Sequence, residues 1–144
     1  MMVLTDDQQE CLKVVKDGHS FVILGQAGTG KSVLVSEIFN QLSGTGKHVQ
    51  ITATTGIAAS QFPSGRTLHS WVGILDGRFS NREAAERVSN DENTAQRIRK
   101  TNTLIIDEIS MLSAKLFDQG LSSLRFFGSL LEEHRTTSSS DFNF

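Results

Sequence analysis

Apolar residues in this chain fall into short runs separated by glycines and polar clusters, and the spacing inside each run predicts its element. Thr5-Asp6-Asp7-Gln8 has the S/T-x-x-E/Q form of a capping box. Gln8, Cys11, Leu12 and Val15 then share one face of a helix that Gly18 ends. Phe21-Val22-Ile23-Leu24 is a continuous apolar run of strand length. Beyond a glycine-rich stretch, Val33, Leu34, Ile38 and Leu42 return to helical spacing until Gly44 and Gly46 break the chain. His48 to Ala53 predicts a second buried strand, with Val49 and Ile51 on one face.

Thr54-Thr55-Gly56-Ile57-Ala58-Ala59 follows at that strand's carboxyl end, and Phe62-Pro63-Ser64-Gly65-Arg66 reads as a turn around the only proline. Thr67-Leu68-His69-Ser70-Trp71 groups several hydrogen-bonding side chains beside an aromatic ring. From Ser80 to Lys100 the chain is charged and poor in bulky apolar residues; Ser80-Asn81-Arg82-Glu83 is another capping box, so solvated helices forming an insertion are expected over residues 80–100. Thr103-Leu104-Ile105-Ile106 predicts a further strand that ends in Asp107 and Glu108. Ser113 can cap a helix carrying Leu116, Phe117, Leu121 and Leu124, weakened by Gly120, and the polar tail over residues 132–144 is expected to be disordered. Strands alternating with helices predict an α/β fold with a parallel sheet. No internal repeat is visible.

Composition narrows the classes. At 144 residues and 38% hydrophobic content, one domain with a modest core is expected. Fourteen Lys and Arg against sixteen Asp and Glu leave a formal charge of −2, so any contact with nucleic acid must be local. The single cysteine, Cys11, excludes an internal disulfide framework and a multi-cysteine zinc site. No apolar run is long enough to span a bilayer, and the N-terminus has neither a signal-peptide apolar region nor an Arg-rich presequence. The expectation is a soluble, intracellular protein with no membrane association.

Candidate chemistry centres on Gly25-Gln26-Ala27-Gly28-Thr29-Gly30-Lys31-Ser32, which fits GxxxxGK[ST] at every fixed position, between a predicted strand and a predicted helix. Glycines let backbone N–H groups turn around a triphosphate at the positive end of the following helix. Lys31 would neutralise the β- and γ-phosphates and the Ser32 hydroxyl would ligate Mg²⁺. Asp107 and Glu108 divide labour if strand alternation holds, Asp107 toward the Mg²⁺ shell and Glu108 toward the water that attacks the γ-phosphate. Gln8 has two readings, the capping-box partner of Thr5 or a two-faced amide that bonds adenine. Thr54, Thr55 and Gly56 suit either a ligand loop at a strand's carboxyl end or a helix N-cap. The segment from Thr67 to Trp71, including His69, suits a phosphate backbone and a stacked base, or packing and caps.

Taken together and in order, these blocks resemble the Pif-one (petite integration frequency) DNA helicases, superfamily-one motors of the RecD-like type. The similarity runs from about Leu4 to about Leu124. It implies a partial RecA-like P-loop ATPase domain over residues 4–124, with a truncated parallel sheet and flanking helices. Leu4 to Gln8 looks like the family's adenine-sensing block, Gly25 to Ser32 like its first motif, and Leu104 to Met111 like its second. Thr54 to Ala59 and Gly65 to Ser70 resemble the two blocks that contact the single-stranded DNA backbone. By resemblance the chain is a monomeric, ATP- and Mg²⁺-dependent 5′-to-3′ DNA helicase acting at duplex junctions. The family works in nuclear and mitochondrial DNA maintenance, including repair, recombination and telomere maintenance.

The departure comes after Leu124, where there is no Gly-Asp-x-x-Gln-Leu-Pro-Pro block, no second RecA-like domain and no arginine reaching from it. In this family the strand before that block lies between the P-loop strand and the Asp-Glu strand, so the sheet is expected to be broken. A fragment, a splice variant or a mispredicted gene model is the reading, with little activity of its own. A non-catalytic nucleotide- or DNA-binding remnant and an unrelated P-loop NTPase are the alternatives.

Overall fold

Thr5 starts the first helix, α1 (Asp6–Lys16), by the reciprocal device its sequence predicts: its hydroxyl accepts from the Gln8 amide at 3.3 Å, and the Gln8 side chain accepts from the Thr5 amide at 3.0 Å. The computed structural model describes residues 3–24, 30–74, 79–111, 113, 114 and 119, in two compact units that meet in sequence between Lys47 and His48. In the first unit α1 packs with α2 (Lys31–Gly44). Leu12 of α1 is buried, as are Leu34, Val35, Ile38 and Leu42 of α2, the positions at which helical periodicity places the apolar face.

The run Phe21–Leu24 departs from expectation. It forms no strand, and Phe21, Val22 and Leu24 are 37%, 64% and 88% exposed. Apolar composition favours a strand only where a neighbouring strand supplies the backbone bonds and a cover for the side chains.

The second unit is built on a parallel three-stranded sheet in the order β2-β1-β3. The central strand β1 (Val49–Ala53) aligns Thr52 and Ala53 with Arg66 and Thr67 of β2 (Arg66–Thr67) on one side. On the other side it aligns Val49 through Ala53 with Thr103 through Asp107 of β3 (Thr103–Asp107). Ile51 and Ala53 are buried, and the buried Thr52 hydroxyl donates to the Ile105 carbonyl at 2.9 Å. That bond removes the cost of a hydroxyl inside an apolar layer.

Two short helices leave the carboxyl ends of β1 and β2: α3 (Gly56–Ser60), started by Thr55, and α4 (Leu68–Val72), started by Thr67. Between them runs the predicted turn around Pro63. Gly65 passes so close to α3 that an added Cβ would lie 2.0 Å from the Ala59 carbonyl oxygen, so only glycine fits there.

The charged stretch after Ser80 forms α5 (Asn81–Asn90) and α6 (Glu92–Lys100), and the capping box at Ser80 is present. These helices are less solvated than their composition suggests. Ala84, Val88, Ala95 and Ile98 join Leu68, Trp71, Val72 and Ile74 in one buried cluster, with Phe79, Leu104 and Ile106 packed against it. Small side chains let the helices approach closely, so a thin apolar stripe suffices to bury one face. Among the described residues no helix is long and apolar enough to cross a membrane. The helix expected after Ser113 falls almost entirely outside the described residues, and the tail over residues 132–144 falls wholly outside them.

Candidate nucleotide and nucleic-acid site

Residues Gly25, Gln26, Ala27, Gly28 and Thr29 lie outside the described residues; Gly30 and everything to Gly44 are described. Gly30 precedes α2 with φ of 83°, a left-handed conformation that glycine adopts without steric cost. An added Cβ would also sit 2.8 Å from the Gln8 amide nitrogen. That nitrogen donates to the Gly30 carbonyl at 3.3 Å, so α1 is tied to the residue that precedes Lys31 and Ser32. Gln8 therefore fills its capping role and reaches the predicted site at once. Its oxygen bonds the Thr5 amide and its nitrogen the Gly30 carbonyl, and an adenine would have to take over one of these bonds.

The start of α2 differs in kind from the others. Side-chain oxygens of Thr5, Thr55, Thr67, Ser80 and Asp91 accept first-turn amides of α1, α3, α4, α5 and α6, whereas Gly30 has no side chain to offer α2. A helix whose first-turn N–H groups lack a side-chain cap suits an anionic ligand. Lys31 and Ser32 are the first two residues of α2; Lys31 is half-buried and Ser32 exposed.

In the second unit the sheet register gathers three sequence blocks along one edge. Thr67, Ala53 and Asp107 lie side by side across β2, β1 and β3. Because all three strands are parallel, Thr54-Thr55-Gly56, the segment from Thr67 to His69, and Asp107-Glu108 share the carboxyl edge, where open α/β sheets hold ligands. Thr55 accepts from the Ala58 amide and Thr67 from the Ser70 amide, both at 3.2 Å. Both hydroxyls act as acceptors in their caps, so each keeps its proton to give to a phosphate oxygen. Both sequence readings of these threonines, cap and ligand group, are compatible in one geometry.

Asp107 closes β3 and is half-buried. Glu108 does not continue the strand. Its φ is 59°, and its carbonyl accepts from the Thr54 hydroxyl at 3.1 Å and from the Met111 amide at 3.0 Å, at the start of the 3-10 turn Ile109–Met111. The alternation argument for Asp107 and Glu108 thus gives way to a different cause: a left-handed residue redirects the chain between them. A non-glycine residue held there is strained, and such strain gathers at functional positions.

Trp71 is corrected as a base-stacking candidate. It is 1% exposed in the core cluster, and its indole nitrogen is buried with no hydrogen-bond partner among the described residues. His69, by contrast, is half-buried, and Ser70 is exposed.

Arg97 is the residue that sequence reasoning missed. From α6 its guanidinium donates to the Trp71 carbonyl at 2.9 and 3.2 Å, the Ser70 carbonyl at 3.2 Å and the Thr94 hydroxyl at 2.9 Å. It closes the carboxyl end of α4, where helix carbonyls otherwise lack partners. The Thr94 hydroxyl in turn donates to the Asp91 carboxylate at 2.6 Å. That bond is the main reason the Asp91 carboxyl is held below its usual range. Burial, then the nearby Arg66 charge, lower the Arg97 pKa from its ordinary value, while Asp91 opposes them. The available signal was positional: Arg97 sits three residues after Thr94 and one before Ile98, on the inward stripe of α6 rather than its charged face.

Comparison with known proteins agrees with this arrangement. The family model described as PIF1-like helicase matches residues 3–133. The chain is similar to the ATP-dependent DNA helicase PIF1 of Saccharomyces cerevisiae (strain YJM789), with 36% identity over 118 residues, covering 81% of this chain and 14% of that protein. It is similar to the ATP-dependent DNA helicase RRM3 of Saccharomyces cerevisiae (strain ATCC 204508 / S288c), with 39% identity, covering 82% of this chain and 17% of that one. Among solved structures, the Pif1 helicase from Candida albicans superposes with a TM-score of 0.76 at 36% identity, over 89% of this chain and 31% of its own. Pif1 from Bacteroides sp in complex with ADP-AlF4 gives 0.68 at 30% identity, over 90% and 29%. The chain thus spans a small part of the length of these relatives. A match across residues 3–133 sets aside the unrelated P-loop NTPase: this chain belongs to the PIF1-like helicase family.

Proposed function

We propose that this chain carries part of the first motor domain of an ATP-dependent DNA helicase: a phosphate cradle at Gly25 to Ser32, with DNA contacts and hydrolytic carboxylates on the edge of the second unit's sheet. The observation that supports this most directly is the register that aligns Thr67, Ala53 and Asp107 and so collects three blocks on one carboxyl edge. Lys31 neutralises the β- and γ-phosphates as a point charge, and Gln8 bonds the adenine. Glu108 orients the attacking water and takes its proton as the bond to the γ-phosphorus forms and the bond to the leaving oxygen breaks.

Mg²⁺ fits the chemistry of the residues present. Ser32 and Asp107 are a hydroxyl and a carboxylate, both hard oxygen donors. Mg²⁺ is usually held in this way, by one or two protein oxygens together with substrate phosphates. When bound it supplies charge neutralisation to the triphosphate.

Thr54, Thr55, Gly56, Thr67 and His69 contact phosphate and sugar of single-stranded DNA, with no base readout, which suits a motor that steps along any sequence. On this reading the activity is 5′-to-3′ unwinding at duplex junctions by a monomer, inside the cell and, in a eukaryote, in the nucleus, the mitochondrion or both, in DNA repair, recombination and telomere maintenance. A second reading, binding of nucleotide and DNA without turnover, is favoured by one observation: the run preceding Gly25 forms no strand.

The test is ATP turnover with and without oligothymidylate for the chain, Lys31→Ala and Glu108→Gln. Low but measurable turnover in the unmodified chain, falling to background in Lys31→Ala and Glu108→Gln, is expected for loss of the phosphate-binding charge and of the general base. Equal background rates in all three, alongside saturable binding of both ligands, replace the first reading with the second.

A further inference from the structure

A hydroxyl carries one proton and therefore makes one donor bond at a time. Along the carboxyl edge of the second unit's sheet, three threonines differ in how that proton is used. Thr55 and Thr67 receive hydrogen bonds from amides, and their protons stay available. Thr54 is the donor in its bond: its hydroxyl gives its proton to the Glu108 carbonyl across 3.1 Å. A phosphate oxygen of DNA only accepts, so a phosphate seated at Thr54 must compete with Glu108 for the same proton.

The far end of this bond is the strained one. Glu108 is held at φ of 59° with its carbonyl fixed by two donors, the Thr54 hydroxyl and the Met111 amide. The other left-handed non-glycine residue among those described, Ser64, lies in the surface turn before Gly65. Removing one of the two donors from Glu108 weakens the restraint that keeps it in a sparsely populated conformation. Its backbone then rotates toward the ordinary region, and the direction of the Glu108 carboxylate changes with it.

We propose that Thr54 is a positioning residue that couples DNA contact to the hydrolytic glutamate, by donating its single hydroxyl proton either to the Glu108 carbonyl or to a DNA phosphate. This rests on reading Thr54 to Gly56 as a phosphate-contacting loop. In the DNA-free state Thr54 holds Glu108 in its left-handed conformation. When a phosphate oxygen replaces the Glu108 carbonyl as acceptor of the Thr54 hydroxyl, Glu108 is released, so ATP turnover answers to DNA through one hydrogen bond between the ends of adjacent strands.

The Met111 amide reports on this directly, because its acceptor is the same Glu108 carbonyl. Hydrogen exchange is measured at Met111 in the chain at low salt, alone and saturated with an oligothymidylate of about 12 nucleotides, a length within the usual single-strand site sizes. Exchange at Met111 rises about tenfold on saturation, as expected for opening of a local restraint. Thr54→Val exchanges fast without DNA and does not respond further, and Thr54→Ser, which keeps the proton, behaves as the unmodified chain does. Unchanged Met111 exchange in the saturated chain overturns the coupling while leaving the DNA-contact reading intact. Thr54→Val that still responds to DNA overturns it equally. Failure of the oligothymidylate to bind the unmodified chain overturns the DNA-contact reading itself, and the coupling with it. Should Thr54→Val not fold, Thr54→Ala, which also lacks the hydroxyl, takes its place beside Thr54→Ser, and a DNA response in Thr54→Ala overturns the coupling.

Discussion

Phe21–Leu24, wholly apolar, and Val49–Ala53, interrupted by Gln50 and Thr52, are both β-prone runs placed just before loops of candidate chemistry, yet only the second becomes a strand. Val49–Ala53 has a parallel neighbour on each side and buries Ile51, which is 2% exposed. Phe21–Leu24 leaves three of its side chains open. The difference lies in the neighbours rather than the residues, because a strand is stabilised by pairing and cover that its own sequence does not contain.

The sharpest way to break this comparison is to truncate one side chain in each run. Ile51→Ala is expected to cost about 2–5 kcal/mol, as buried Ile truncations do. Val22→Ala should stay within about 0.5 kcal/mol, as at an exposed position. Urea unfolding followed by Trp71 fluorescence reads the first, since the only tryptophan lies in the second unit's core. Hydrogen exchange in α1 and α2 reads the second. Similar losses in both would mean that Phe21–Leu24 is buried in solution after all.

Next in size is the tie that closes α4 beside the sheet. Arg97→Ala removes the donors to the Ser70 and Trp71 carbonyls and should cost about 1.5–3 kcal/mol, the range for hydrogen bonds to a charged group. Arg97→Lys should recover little of it, because an ammonium lacks the planar fork that reaches several acceptors. Full rescue by lysine, in the same Trp71 fluorescence assay, would reduce Arg97 to a point charge.

In the first unit the corresponding tie is local. Gly30→Ala places a Cβ on a left-handed residue and against the Gln8 amide, with an expected cost of about 1–2 kcal/mol. The loss should appear as faster exchange across the first turns of α1 and α2 while the second unit's core amides keep theirs. Loss of protection in both units together would show that they unfold as one.

The smallest effect is in acid. Asp91 is held low chiefly by the Thr94 hydroxyl, and Glu83 by the Ser80 backbone and then its hydroxyl. For carboxyls with lowered folded pKa values, the stabilisation is fully present above the unfolded pKa and is lost as pH falls through the folded one. The melting temperature should therefore hold steady from neutral pH down to the ordinary carboxylate range and slope downward only below it. Asp91→Asn, which keeps a capping oxygen but cannot titrate, should flatten part of that slope.

Local signals in the sequence were legible wherever their chemistry was local. The capping boxes at Thr5 and Ser80, the strand at Val49–Ala53 and the break at Gly18 needed only residues a few positions apart. Features set by distant partners were not legible. Stacking and packing were both open for Trp71 because nothing in Leu68-His69-Ser70-Trp71 states that α5 and α6 bury it. The same helices looked solvated because three alanines carry much of their inward face. The left-handed Glu108 was hidden for a related reason. A glutamate rarely adopts that conformation, and its second donor, Thr54, lies 54 positions away.

The proposed nucleotide chemistry depends on Gly25 to Ser32 holding a triphosphate, and calorimetric titration of the chain and of Lys31→Ala with ATP and magnesium tests that most directly. Saturable binding by the unmodified chain, weakened about 10- to 100-fold in Lys31→Ala, is the predicted result for loss of a charge-assisted contact. Equal affinity in the two proteins, or no binding by either, would contradict it.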